Sequence, residues 1–200
     1  MKHKLKELCF EVTNLCSLSC LHCSTQSVLN KQKNFSEISL NIAKSTIDHF
    51  AQLGGKILEI SGGEPLLYPH LMDICAHANR HKLEIRLYTS GVLNLNNKLS
   101  SIGHEVVKEL SNLDVNKFIF NMQGSKAAIH DKITNTPGSF TQLIKSIENI
   151  KEAGHFIGIH FVPMKINYDD LPNLANLCST LGVDELAILR FVPQGRGQDN

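Results

Sequence analysis

The chain has no tryptophan, few aromatic residues and almost no net charge: aromatics make up 6% of its 200 residues and the formal net charge is +1. So small an excess builds no field that would attract a polyanion, which excludes nucleic acid or an anionic membrane as an electrostatically held partner. Long apolar runs are missing as well. No stretch approaches the ~20 consecutive apolar residues that a membrane span needs. The apolar run after the basic Met1 to Glu7 is broken by Glu11, Thr13 and Asn14, so it does not read as a signal peptide. A cytoplasmic protein is expected, and six cysteines in that setting are reduced thiols available to metal rather than a disulfide framework. No low-complexity linker and no internal repeat interrupts the chain, so residues 1 to 200 are expected to form one domain. The ten histidines show no H-E-x-x-H or comparable ligand spacing.

What is present is a rhythm. Short segments rich in Ile, Val, Phe and Leu, expected as strands, fall at Leu8 to Thr13, Ile57 to Ser61, Leu83 to Thr89, Lys117 to Gln123, Phe156 to Met164 and Leu186 to Pro193. Helical patterns separate them. The clearest runs from an N-cap at Ser39 to Leu53, with Ala43, Ile47, Phe50 and Ala51 on one stripe and Gly54-Gly55 as the stop. Others span Pro69 to His81, His104 to Leu113, Ser139 to Ala153 and Asp170 to Leu181. Strict β/α alternation implies parallel strands and right-handed crossovers, and six units give the fold class as α/β, a partial (β/α)6 TIM-like barrel.

Strands covered on both faces should be nearly all apolar, yet these carry polar residues in alternation. Glu11 and Thr13, Glu59 and Ser61, Glu84 and Arg86, Asn121 and Gln123, His160, and Arg190 would each share one face. That face lines a polar lumen, where charges must be paired or must meet a polar ligand. A binding cavity and a set of internal salt bridges are the two readings.

Two motifs carry chemistry. Cys16-Ser17-Leu18-Ser19-Cys20-Leu21-His22-Cys23 sets three thiols in the loop after the first strand, the end at which such barrels place their sites. Three thiolates can hold three irons of a four-iron cluster and leave the fourth without a protein ligand. The rival is a structural zinc site completed by His22 or His3. The second motif, Ser61-Gly62-Gly63-Glu64-Pro65, ends the second strand: paired glycines allow close approach to the backbone, and Glu64 offers a carboxylate to an ammonium group. Alone, it also reads as an ordinary strand-to-helix turn.

With C-x3-C-x2-C after the first strand and G-G-E-P after the second, the sequence resembles the radical S-adenosylmethionine superfamily. Glu11-x-Thr13, Tyr88-Thr89-Ser90-Gly91, Gln123-Gly124, His130-Asp131, Pro137-Gly138-Ser139-Phe140 and Pro193-Gln194-Gly195-Arg196-Gly197 are similar to its peptide- and protein-modifying, SPASM-type members. Ser17, His22, Ser90, Asn121 and Gln123 depart from the usual pattern. The resemblance implies a [4Fe-4S] cluster on Cys16, Cys20 and Cys23 as the catalytic and metal-binding set, with S-adenosyl-L-methionine chelating the open iron. It implies that Gly62, Gly63 and Glu64 receive the methionine amino group, that the backbone near His22 meets the adenine, and that Thr89, Asn121 and Gln123 line the cofactor pocket. Arg190 is a candidate carboxylate partner by charge and face. An external one-electron reductant and a peptide or protein substrate are the implied partners. Relatives continue into a Cys-rich region holding further clusters, whereas this sequence stops at Asn200, so the core alone is expected here.

Two other functions remain open: the same radical step in small-molecule cofactor biosynthesis, and a metal-binding or electron-carrying domain without turnover. Cys9, Cys75 and Cys178 read as small buried hydrophobes. Most histidines read as surface or cap residues, with His160 the one to watch as a cavity residue, and the polar stretch around Lys31 and Lys33 reads as a solvated loop.

Overall fold

Alternation along each strand decides which residues meet the helices, and the computed structural model, which describes residues 5–32, 34–95 and 98–199, follows it. Strands β1 (Glu7–Glu11), β2 (Ile57–Ser61), β3 (Glu84–Thr89), β6 (Val115–Asn121), β7 (Phe156–Phe161) and β8 (Glu185–Ile188) form one sheet in the order β1-β2-β3-β6-β7-β8, every pair parallel. Helices α1 (Leu40–Gln52), α2 (Leu71–Arg80), α3 (His104–Asn112), α5 (Ser139–Glu152) and α6 (Leu171–Thr180) are the crossovers. The order never doubles back, so the sheet is a barrel built unit by unit and left open, the partial (β/α)6 form expected. Among the described residues no helix is long and apolar enough to cross a membrane.

Leu58, Ile60, Ile85, Leu87, Phe118, Phe120 and Phe161 are fully buried on the helix side, against Ile47 and Phe50 of α1, Ile74 of α2 and Leu143 and Ile147 of α5. Helix α1 starts where its cap predicts: Ser39 Oγ accepts from the Ile42 amide at 3.4 Å, a cap of the kind worth about 1 kcal/mol.

Two expectations need correction. Cys9 is exposed, not packed, because β1 is an edge strand whose Glu7, Cys9 and Glu11 all face outward from the helix layer. Cys75 and Cys178 are buried as expected. The last strand ends at Ile188, well short of Pro193, so the alternation that put Arg190 on the lumen face stops before reaching it. His130 is wholly buried, an exception among histidines expected mostly at the surface or at caps. Two elements were also not foreseen: an antiparallel hairpin of β4 (Val92–Leu95) and β5 (Lys98–Ser101), and a helix α4 (Ala127–Thr134) between β6 and α5. Lys31 is exposed in a loop, while His3 and Lys33 lie outside the described residues.

Candidate functional site

The loop that follows β1 is held in place from three directions. It bonds to itself, with the Cys16 amide donating to Val28 O at 2.8 Å and the Val28 amide to Asn14 O at 2.8 Å. It bonds to α4, through the Ser19 amide to Thr134 O at 3.2 Å and the Leu21 amide to Ile133 O at 2.8 Å. It bonds to the hairpin, whose Asn94 amide donates to Ser17 Oγ at 2.9 Å. The two unforeseen elements therefore help to pin the cysteines.

So placed, Cys16, Cys20 and Cys23 line one cavity of about 290 Å³ at the C-terminal ends of the strands, near the lower limit for small-molecule sites. Its walls include Glu11, Ser61, Tyr88, Asn121 and His160, the polar face of the alternation. Lower in the lumen the same face is internally paired: Arg86 Nε lies 2.7 Å from Glu84, Arg86 Nη1 3.4 Å from Glu59, and Tyr88 Oη donates to Glu59 at 2.9 Å. The polar lumen is thus a salt-bridged floor beneath an open cavity.

The three thiols differ. Burial pushes the Cys16 pKa up to about 12, with the nearby Glu64 carboxylate adding to the shift. Burial and then the neighbouring Cys16 and Cys23 raise that of Cys20. For Cys23 burial also opposes ionisation, but hydrogen bonds from Ser27 and Thr25 and the Arg196 charge outweigh it, and its pKa falls. Cys23 is the thiol that ionises first; the other two lose their protons to a bound cation.

Glu64 is fully buried and lies outside the cavity lining. Thr89 Oγ1 donates to it at 2.7 Å, as do the Ser90 amide at 2.9 Å, Ser90 Oγ at 2.5 Å and the Leu66 amide at 3.3 Å. Burial raises its pKa against the pull of these donors. The carboxylate ties the end of β3 to the turn after β2, while Thr89 and Ser90 reach the cavity wall. Gly62 and Gly63 line the cavity, but their lack of a side chain serves the backbone behind them: a Cβ on Gly63 would lie 2.3 Å from Leu15 O, and one on Gly62 2.4 Å from Thr13 O. The Gly63 and Glu64 amides donate to Thr13 O at 2.6 Å and Leu15 O at 2.7 Å. The two motifs are stitched together.

Asn121 and Gln123 both line the cavity, Asn121 exposed and Gln123 buried, its side chain accepting from the Val162 amide at 3.0 Å and joining the ends of β6 and β7. The Gln123 amide in turn donates to His130 Nδ1 at 3.1 Å. His22 lines the cavity with a buried Nδ1 that has no hydrogen-bond partner among the described residues. Its pKa is lowered to about 4, by burial and then by Arg196, so the ring is neutral. Arg190 is exposed and not part of the cavity.

The arginine that does come to the site is Arg196, within the quoted Pro193 to Gly197 run but given no role from sequence. It sits in a short 3-10 segment, Gly195–Asp199, that folds back onto the first loop. Its Nε donates to Cys20 O at 2.9 Å, Nη1 to Ser27 O at 2.7 Å and Nη2 to Ser27 Oγ at 3.1 Å, while its amide donates to Cys23 O at 2.9 Å. Gly195 has φ +58 and a Cβ there would lie 2.5 Å from Cys23 O. The glycine before Arg196 is the signal that the chain must come this close.

The donor set distinguishes a cluster from a single ion. Among the described residues no three of Cys16, Cys20, Cys23 and His22 bring ligand atoms within 4.8 Å of one another. One zinc ion at ~2.3 Å from each sulfur would need them drawn to about 3.8 Å apart. An iron-sulfur cluster gives each sulfur its own iron and tolerates the wider spread. The unpaired His22 nitrogen on the same wall suits a polar ligand beside it, since an unmet buried group costs ~1–3 kcal/mol.

A family model described as the Radical SAM superfamily matches residues 10–178. An AdoMet-dependent heme synthase of Methanosarcina barkeri is 30% identical over 193 residues, covering 96% of this chain and 52% of that protein. Mycofactocin maturase MftC of Mycobacterium tuberculosis is 30% identical over 194 residues, covering 96% and 46%. Among solved structures, Streptococcus suis SuiB bound to precursor peptide SuiA superposes with a TM-score of 0.75 at 16% identity, over 94% of this chain and 39% of that one. Methylornithine synthase (PylB) gives 0.77 at 12% identity, over 99% and 57%. The chain spans about half the length of the curated relatives it matches.

Proposed function

This chain belongs to the radical S-adenosylmethionine superfamily, and from that premise we propose that it is the catalytic core of an enzyme that modifies a peptide or protein. Cys16, Cys20 and Cys23 would hold three irons of a [4Fe-4S] cluster. Bound there and reduced by an external one-electron donor, the cluster would supply the electron for reductive cleavage of S-adenosylmethionine, the chemistry that makes hydrogen abstraction from a substrate possible.

The chain's own residues supply position and exclusion of water. Arg196 and the Ser27 and Thr25 hydroxyls favour the thiolate of Cys23. Gly62 and Gly63 offer backbone at the cavity wall, and Glu64 acts from behind it by fixing Thr89 and Ser90. Asn121 and the unpaired His22 nitrogen are among the polar groups on the wall that can meet an adenosyl or amino acid moiety. Tyr88 and His160, whose rings lie 5.5 Å apart edge to face, stand on the wall where β3 and β7 end.

The single observation that carries this reading is that the three thiols of one loop line one polar cavity together with Gly62 and Gly63. A peptide substrate is supported by the relative named a maturase and by the similar fold of SuiB with its precursor peptide. The relative named a heme synthase supports a second reading, a small-molecule substrate. Anaerobic reconstitution with iron and sulfide, an external one-electron reductant and S-adenosylmethionine should give four irons per chain and 5'-deoxyadenosine, both lost in Cys20→Ala. Deoxyadenosine release stimulated by precursor peptides supports the first substrate class, and stimulation by tetrapyrroles alone supports the second. A preparation that binds iron yet never forms deoxyadenosine sinks both.

A further inference from the structure

Away from the cavity, among the described residues one other set of side chains gathers three metal-ligating atoms: Asp48 of α1 with His77 and His81 of α2 and its C-cap. A spacing of four residues places the two imidazoles one turn apart on one helix face. Packing of α1 on α2 brings Asp48 opposite them. His77 Nε2 and His81 Nε2 each lie 2.7 Å from the same oxygen, Asp48 Oδ1, and the three atoms lie within 4.8 Å of one another. The rings meet edge to face with centroids 5.2 Å apart. Side-chain exposures of 16% for His77, 39% for Asp48 and 32% for His81 leave a route for an ion from solvent.

We propose that Asp48, His77 and His81 form a second metal site, for a borderline divalent transition ion such as zinc, with three protein ligands and an open position for water. Two imidazole nitrogens and one carboxylate oxygen are a donor set that such ions favour over magnesium or calcium. The ligands project from two packed helices, so little order is lost on binding. The site also lies at the C-terminal end of α2, where the negative pole of the helix favours a cation. The other histidine-aspartate contact of this helix, His70 with Asp73 at 3.4 Å, is a simple exposed pair with no third donor. Because His81 stands three residues before β3 begins, the site is at the end of the barrel opposite the cysteine loop, which follows the end of β1. Its ion would tie α1 to α2 and not take part in chemistry at the cavity.

The test uses cluster-reconstituted protein under anaerobic conditions, so that iron occupies the thiols, and Zn²⁺ alone as the probe. One equivalent of zinc should bind in competition with a chromophoric chelator and raise the melting temperature. In His77→Gln/His81→Gln the amides can still donate to Asp48 but cannot ligate. That variant should melt like the zinc-free wild type, lose the zinc-dependent rise, and bind zinc about 10-fold more weakly or worse. Asp48→Asn, which keeps an acceptor but removes the charge, gives an independent reading and should also weaken zinc. Cobalt substituted at the site should show d–d bands without thiolate charge transfer. The proposal is overturned if the wild type takes up no zinc, if the double variant or Asp48→Asn binds it as tightly as wild type, or if cobalt shows thiolate bands.

Discussion

Replacing Arg196 by alanine should loosen the cysteine loop from a position more than 170 residues away in sequence. The guanidinium makes three bonds to that loop, to Cys20 O, Ser27 O and Ser27 Oγ, at 2.9, 2.7 and 3.1 Å. At roughly 1 kcal/mol for each partly exposed charge-assisted bond, about 3 kcal/mol of local stability is lost. The equilibrium for opening the loop then rises ~100-fold, and amide exchange in residues 14–28 should quicken by the same factor. Hydrogen exchange read by mass spectrometry on cluster-free protein measures this directly, without any contribution from iron. Arg196→Lys should recover only about a third of the loss, because one ammonium cannot span both carbonyls as a planar fork does. Arg190→Ala, six residues upstream and exposed, should leave exchange unchanged. Exchange in Arg196→Ala within about twofold of wild type would refute the claim that this side chain closes the loop.

Acid should destabilise the fold through His130, whose pKa is lowered to about 4, chiefly by burial, from an ordinary value of 6.5. Between those values the unfolded chain binds more protons, so stability falls with falling pH, by about 2 kcal/mol from pH 7 to 5 from this group. Urea unfolding of His130→Asn, which can still accept from the Gln123 amide, should show that increment removed. Gly63→Ala should cost about 3 kcal/mol or more, since its Cβ would meet the Leu15 carbonyl at 2.3 Å and part the two motifs. Gly54→Ala, at φ +85 with nothing within 4 Å, should cost only ~1 kcal/mol of backbone strain in the same denaturation assay. Cys9→Ala should leave iron loading unchanged, because that thiol is exposed on an edge strand away from the cavity.

Strand and helix positions were legible wherever apolar periodicity was strong. β2 falls where expected to the residue, and α1 lies within its expected cap residues. The hairpin was not legible, because Asn94, Lys98, Ser100 and Ser101 read as polar loop and its stability comes from packing on α5 rather than from its own composition. Helix α4 is eight residues long and begins at Lys126 without a side-chain cap, so neither length nor a start signal marked it. In the site, the cysteines and the Gly-Gly-Glu turn were plain in the sequence and the cavity gathers the thiols and glycines. The finer assignments depended on contacts that no local pattern encodes. Glu64 is held by Thr89 and Ser90 from the next strand, and Gln123, though it lines the cavity, also bonds to the residue after β7. Arg190 shares the charge of Arg196 and lies two turns of a helix's length away in sequence, but only the latter follows a glycine able to turn the chain back.

The return of Gly195–Asp199 to the first loop sets an order of events during synthesis. The three thiols leave the ribosome early, but the guanidinium that braces their loop is made after every strand of the sheet. A nascent chain therefore presents unbraced thiols until all six strands of the sheet have been made. Metal can reach the braced form of the loop only after Arg196 has cleared the exit tunnel.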